Sequence, residues 1–293
     1  MPHDGYLSVA MLPSTIVGAR LRRYPDPSKE PALPVLPGAE PFSVDADGAS
    51  GQIGVVVSHG FTGTPQSMRG WAEHLAAAGF SVRLPRLPGH GTTWQEMNDT
   101  RWPDWYAEIR RAYDELAVRC QTVFAVGLSM GGTLVTKLAE DLADEADDKL
   151  AGLVLVNAAY GTMRRDAAFA RYLTWAVKSR PGIGSDIKKT GMSELGYDKT
   201  PLKAFVSLQD LWRVVVPDLG KVRLPILYFH STEDHVVDPL SAKLLHAGAT
   251  GTTVTEVALT NSYHVATVDN DAEQIFTGSV DFIRQHSASR VLD

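Results

Sequence analysis

Ser129 lies in Gly127-Leu128-Ser129-Met130-Gly131, with Gly132 directly behind. The apolar run TVFAV precedes this stretch and GTLVTKLAEDL, with helical spacing, follows it. A serine between a strand and a helix, flanked by glycines, occupies a turn so tight that neighbouring side chains must be small. The turn forces an uncommon backbone conformation on the serine and lifts its hydroxyl above the sheet edge. The helix that starts there aims backbone N–H groups at whatever the hydroxyl attacks. These are the requirements of nucleophilic catalysis, and a serve-the-turn-only serine would need none of them. A serine hydroxyl is a poor nucleophile at neutral pH, so a base and an orienting acid must stand beside it.

In this arrangement the partners follow the nucleophile in the order acid, then histidine. Of nine histidines, only His246, His264 and His286 lie well beyond the last candidate acid. His246 and His286 fall within expected helices. His264, in LTNSYHVATVDND, follows the last strand and precedes the last helix, at the same sheet edge as Ser129. It is the expected general base. The acid should follow the strand LPILYFHS, where TEDHVVDP offers Glu233, Asp234 and Asp238. Asp234 lies in the first turn after the strand, close enough to orient an imidazole. Asp238 precedes Pro239 and reads as a helix cap. The group His230, Asp234, His235 and Asp238 has no recognised metal-ligand spacing, so no metal is expected.

A tetrahedral intermediate needs two preorganised donors, each worth on the order of 10²–10³ in rate. One is the backbone N–H of Met130. The other is expected from HGFTGTP after the strand IGVVVSHG, which leaves the N–H of Phe61 in position, with Gly60 and Gly63 permitting close approach. His59 and the second glycine-histidine loop, Pro88–Gly91, read as supports of the site.

The elements that must position these groups alternate. Strands are expected at PFSVDA, IGVVVSHG, FSVRLPR, TVFAVG, LAGLVLVN, LPILYFHS and TVTEVAL. Helices are expected near residues 65–79, 103–118, 129–143, 239–247 and 272–285. Strands alternating with helices predict a mostly parallel sheet with helices on both faces. The rhythm breaks between Tyr160 and Gly220, where helical segments carry Phe169, Tyr172, Trp175, Tyr197, Phe205 and Trp212; an insertion there is a cap. Residues 1–40, with five prolines from Pro25 to Pro37, read as an N-terminal arm. The expected organisation is arm 1–40, cap 160–220, and a core made of 41–159 and 221–293.

The chain has 293 residues, 44% of them hydrophobic, with 28 basic and 34 acidic residues and a net charge of −6. That balance argues against the clustered basic footprint of a nucleic-acid binder. The lone Cys120 cannot form an internal disulfide, no run approaches the roughly 18 apolar residues of a membrane span, and the N-terminus lacks a secretory pattern. A soluble, cytoplasmic protein is expected, with any membrane contact peripheral.

HGFTGTP, LPGHG, GLSMGG, EDHVVDP and NSYHVAT together resemble the α/β-hydrolase superfamily and, within it, the small bacterial monoacylglycerol lipases and related carboxylesterases. The resemblance implies an α/β-hydrolase fold with a small helical cap inserted after the sixth strand, and the triad Ser129, Asp234, His264. It implies no cofactor, a small lipid ester as substrate, and only transient contact with lipid surfaces. GIGSDIKKTGMSELGYDKTP resembles the cap of those lipases, in which a glutamate contacts the glycerol end of the substrate; the matching position is Glu194. A solvated helix residue is the other reading of Glu194. Hydrolysis of monoacylglycerols through an acyl-enzyme is the expected activity. A broad carboxylesterase and, more remotely, a hydrolase-like ligand receptor stay open. The oligomeric state is open as well.

Overall fold

The valine-rich runs become strands because both of their faces are covered. In β2 (Ile53–Ser58), Val55 and Val57 turn to one side and Val56 to the other, and all three are fully buried. β4 (Thr122–Leu128) and β5 (Leu150–Val156) are buried at every position, as expected of strands with helices on both sides. The computed structural model describes residues 34–48, 50–182 and 184–288. The remaining strands are β1 (Phe42–Val44), β3 (Ser81–Leu84), β6 (Ser179–Pro181), β7 (Lys199–Pro201), β8 (Ile226–Ser231) and β9 (Val254–Leu259). Seven of them form one sheet in the order β1-β3-β2-β4-β5-β8-β9, with only β1 antiparallel to its neighbour.

Helices α1 (Arg69–Ala77) and α8 (Ala272–Ala288) cover one face, where Trp71, Leu75, Ile275 and Ile283 pack with Val55, Phe124 and Val126. The other face carries α3 (Trp102–Arg119), α4 (Met130–Asp144), α6 (Leu202–Asp218) and α7 (Leu240–Gly248), with Ile109, Leu134, Leu211 and Leu245 against Val56 and Val123. The shorter helices are α2 (Trp94–Met97) and α5 (Arg165–Leu173). Local chemistry sets the ends. Pro103 stands in the first turn of α3 and Asp104 accepts the N–H of Arg101 at 2.8 Å. The stretch expected as one helix from Pro65 opens as a 3₁₀ turn, Pro65–Met68, capped by Thr64, and the chain leaves α1 through Gly79 at φ +96°. The single turn α2, capped by Thr93 accepting from Glu96 N–H at 3.3 Å, is too short to leave a periodic pattern.

Two expectations are corrected. Among the described residues the insertion follows the fifth strand of the sheet, not the sixth, because β1 alone precedes the parallel series. The insertion also contains a two-stranded hairpin, β6 with β7, where only helical segments were expected; three-residue strands show no alternation. Its last helix, α6, does not stand clear of the core, since Leu208, Leu211 and Val215 share one buried cluster with Ile109 and Leu134. Residues 1–33 of the expected arm lie outside the described residues. Its end closes on the body, where Leu36 N–H donates to Gly91 O at 2.8 Å and Ala39 is fully buried. Among the described residues no helix is long and apolar enough to cross a membrane.

The first turn of α4 presses on the end of β2. A Cβ added to Gly131 would lie 2.2 Å from Ser58 O and 2.7 Å from His59 O, and one added to Gly127 would lie 2.4 Å from the Gly131 carbonyl carbon. These obstacles are backbone and cannot rotate away. Gly131→Ala should therefore cost about 3 kcal/mol or more of stability, read as a lowered urea midpoint, and should displace the residue before it.

Candidate active site

The turn anticipated at Ser129 is present and strained. Ser129 has φ 55° and ψ −121°, between the end of β4 and the first residue of α4. A non-glycine residue in such a region costs of order 1–3 kcal/mol and persists only when its surroundings enforce it. Here the chain just after β5 does so. Ser129 N–H donates to Val156 O at 2.9 Å, and its carbonyl accepts from Ala159 N–H at 3.2 Å and Thr133 N–H at 3.3 Å. The residue stays 8% exposed and lines a cavity.

His264 and Asp234 meet at the same sheet edge. Asp234, in the turn after β8, presents Oδ2 to His264 Nδ1 at 2.8 Å, while Oδ1 accepts the N–H groups of Val236 and Val237 at 2.8 Å each. Both side chains are buried. Burial by itself would raise the Asp234 carboxyl, but the His264 charge and the three hydrogen bonds outweigh it and hold it below its ordinary value. For His264, burial is the largest influence and opposes protonation. The charge and hydrogen bond of Asp234, helped by Glu194 and Asp186, reverse it and raise the imidazole above its ordinary 6.5. Since Nδ1 is taken by Asp234, Nε2 is the nitrogen left for proton transfer.

The loop after β2 passes over the serine. A Cβ on Gly60 would lie 3.5 Å from Ser129 Cβ, and Phe61 lines the same cavity. Thr62 then takes φ +63°, strained for a β-branched residue, and its hydroxyl donates to Phe61 O at 2.6 Å. His59 accepts Leu87 N–H on Nε2 at 3.1 Å, so its proton sits on Nδ1 and goes to Gly60 O at 3.0 Å. Complete burial pushes His59 down to about 4, which keeps it a neutral strut. His90 packs edge-on against it at 5.0 Å and bonds Pro88 O at 3.1 Å.

Glu194 comes from the insertion to the same cavity as Ser129 and His264. Its Oε1 packs so close to Gly63 that a Cβ there would be 2.5 Å away and would push the carboxylate aside. Burial raises its carboxyl, moderated by the His264 charge and a hydrogen bond with Ser67. Gln66 ties the segment down, accepting Leu195 N–H at 2.9 Å and donating to Ser193 O at 3.3 Å. The cavity is about 380 Å³, and the apolar part of its lining includes Ala159, Ala170, Leu202, Phe205, Leu208 and Trp212.

The four residues weighed as a metal group diverge. His230 faces Glu256, Asp234 faces His264, His235 faces Asp186, and Asp238 accepts Leu240 N–H and Met163 N–H. Among the described residues no cluster of three or more metal-ligating side chains forms. Two supports were not read from the sequence. Asn157, at φ +45° just after β5, donates to His264 O at 2.8 Å and Ser231 Oγ at 2.9 Å and accepts Ser231 N–H at 2.8 Å. Asp269 accepts the N–H groups of Lys188, Lys189 and Tyr263 at 2.7–2.9 Å. The asparagine ending an otherwise apolar strand was the visible signal; Asp269 looked like one more loop aspartate.

Residues 51–271 match the family model described as serine aminopeptidase, S33. The chain is 42% identical over 260 residues to a thermostable monoacylglycerol lipase of Bacillus sp. (strain H-257), covering 87% of this chain and 98% of the relative. It is 22% identical over 236 residues to a carboxylesterase of Bacillus subtilis (strain 168), covering 80% and 94%. A solved structure from the metagenome-derived lipolytic enzymes LipS and LipT superposes with a TM-score of 0.81 at 44% identity, covering 86% of this chain and all of that one. With the family model spanning the strands, the serine turn and the histidine loop alike, the chain belongs to the α/β-hydrolase family described as serine aminopeptidase, S33.

Proposed function

We propose that this protein is a carboxylic ester hydrolase that cleaves monoacylglycerols to fatty acid and glycerol. The observation that carries the reading is the convergence of Ser129, the Asp234–His264 pair and Glu194 on one cavity whose lining also includes Leu202, Phe205, Leu208 and Trp212. The likeness to a monoacylglycerol lipase along nearly its whole length supports the choice of substrate.

In this reading Ser129 Oγ attacks the ester carbonyl while His264 Nε2 takes its proton, and Asp234 stabilises the imidazolium. The N–H groups of Phe61 and Met130 receive the oxyanion. His264 returns the proton to the departing glycerol oxygen. Water, deprotonated by the same imidazole, then releases the fatty acid from Ser129. The apolar wall holds the acyl chain, each buried methylene contributing roughly 0.8 kcal/mol. Glu194 meets the glycerol hydroxyls, which a simple alkyl ester lacks.

Contact with a lipid surface belongs to the same proposal. Met163, Phe169, Tyr172 and Trp175 are 62–87% exposed on and beside α5. Residues 160–182 carry five basic side chains, Arg164, Arg165, Arg171, Lys178 and Arg180, against one acidic, Asp166, in a chain of net charge −6. Exposed aromatics among cations suit an interface with anionic lipid.

Four outcomes test the reading. Ser129→Ala should stay folded and lose ester hydrolysis by at least about 10³-fold. The wild-type kcat/KM should fall on the acid side with a midpoint above 6.5, because a base whose protonated form is stabilised is freed only at higher pH. A monoacylglycerol should be preferred over the ethyl ester of the same fatty acid, and Glu194→Gln should reduce that preference about tenfold; equal rates indifferent to Glu194 would leave a general carboxylesterase. Replacing Tyr172 and Trp175 by serine should slow hydrolysis of monoacylglycerol in anionic vesicles severalfold and leave a water-soluble short-chain ester unaffected.

A further inference from the structure

One carboxylate of the insertion reaches both loops that carry the acid and the base. Asp186, on the stretch between β6 and β7, has an 11% exposed side chain. Its Oδ2 accepts the backbone N–H of His264 at 3.1 Å and that of His235, the neighbour of Asp234, at 3.1 Å. Oδ1 pairs with His235 Nδ1 at 2.8 Å, and the Asp186 carbonyl accepts Val265 N–H at 3.1 Å. The next residues are fastened as well, through the Asp269 bonds to Lys188 and Lys189. A backbone N–H can be satisfied by any carbonyl. A nearly covered anion spent on two of them, one on each loop, calls for another explanation.

The acid loop leaves β8 and the histidine loop leaves β9; Asn157 and the Ser231 hydroxyl join them at their bases, the Asp234–His264 bond joins them at the site, and Asp186 joins them from the insertion. Misplacing a reacting group by about 1 Å costs on the order of 10²-fold in rate. Charge-assisted bonds from a third element restrict that shift more strongly than neutral ones. The same charge also acts on the imidazole. The carboxylates facing His264 are Asp234, Glu194 and Asp186. His235 faces Asp186 first, then Asp234 and Glu233, and these keep it protonated to higher pH than an ordinary histidine. Lys188 is engaged with Glu233 at 3.2 Å and lies over the Tyr263 ring, which His235 meets edge-on at 4.6 Å. The local cation opposite Asp186 is therefore His235.

We propose that Asp186 is a positioning residue for the reaction: it clamps the acid loop to the histidine loop, and with His235 as counter-ion it tunes the field in which His264 exchanges its proton. The proposal rests on the triad reading of Ser129, Asp234 and His264. It makes the insertion a part of the catalytic geometry as well as a wall of the substrate cavity.

The test compares Asp186→Asn and His235→Ala with the wild type, using kcat and KM on a soluble monoacylglycerol, the acid limb of kcat/KM, and the rate of serine labelling by a fluorophosphonate. Asp186→Asn should lower kcat and labelling about tenfold with KM within about twofold. Its acid limb should move down by on the order of half a pH unit, because a negative charge near the imidazolium is gone. His235→Ala leaves Asp186 without its counter-ion, so its limb should move up, by less because His235 is largely exposed to screening solvent. General loosening of the fold cannot produce opposite shifts. An Asp186→Asn enzyme with unchanged kcat and limb, or two shifts in the same direction, would overturn the clamp. If Asp186→Asn cannot be purified folded, His235→Ala decides alone: an upward shift supports the proposal, and no shift or a downward one overturns it. Ser129→Ala run in parallel keeps the two readings apart. If it still hydrolyses and labels, the triad reading fails; if it is dead while Asp186→Asn matches wild type, only the clamp fails.

Discussion

The contact between the first turn of α4 and the end of β2 governs much of what surrounds the site. Helix and strand meet backbone to backbone at Gly131 and Ser58, with no room for a side chain. That approach forces Ser129 into its strained conformation, and hydrogen bonds to Val156 and Ala159 keep it there. It also brings the loop after β2 beside the serine, with Gly60 against its Cβ and Phe61 on the same cavity. A stiff sheet, buried on both faces, is the base on which this strain can be held.

Charge is the second constraint. Three carboxylates, Asp234, Glu194 and Asp186, surround one buried imidazole, and each is satisfied differently. Asp234 is bonded to the ring and to two backbone N–H groups. Asp186 has His235 as counter-ion. Glu194 is raised by burial and stands nearest the space proposed for the substrate hydroxyls. Unpaired, such a group would carry a large desolvation cost. The arrangement spreads that cost over loops from three separate elements, which couples the histidine, the acid turn and the insertion.

The insertion is accordingly of mixed character. α6 packs into the core beside α4, and the stretch around Asp186 to Lys189 is bonded to the histidine loop. α5, by contrast, turns large aromatic side chains outward. Its aromatics suit an interface, and its neighbours hold the site together.

Much of this was legible in the residues. Local rules suffice for the alternation of valine-rich strands and amphipathic helices, the glycine-serine-glycine turn, and the histidine between the last strand and last helix, because each is written within a few consecutive positions. The order serine, acid, histidine then points to His264 and to Glu233, Asp234 or Asp238, with Asp234 preferred for its place in the first turn after the strand. Hairpin β6–β7, the packing of α6 and the roles of Asn157, Asp186 and Asp269 were not legible. Their partners lie tens to more than a hundred residues away, as with Asn157 and His264 or Asp186 and His235. An aspartate in a loop carries no local mark of which distant N–H groups it will accept. Sequence by itself determined the nucleophilic turn, the class of fold and the chain order of the site residues. Only tertiary structure decided which carboxylate meets the imidazole, how the insertion is fastened to it, and where the apolar cavity opens, because these depend on long-range packing of buried polar groups.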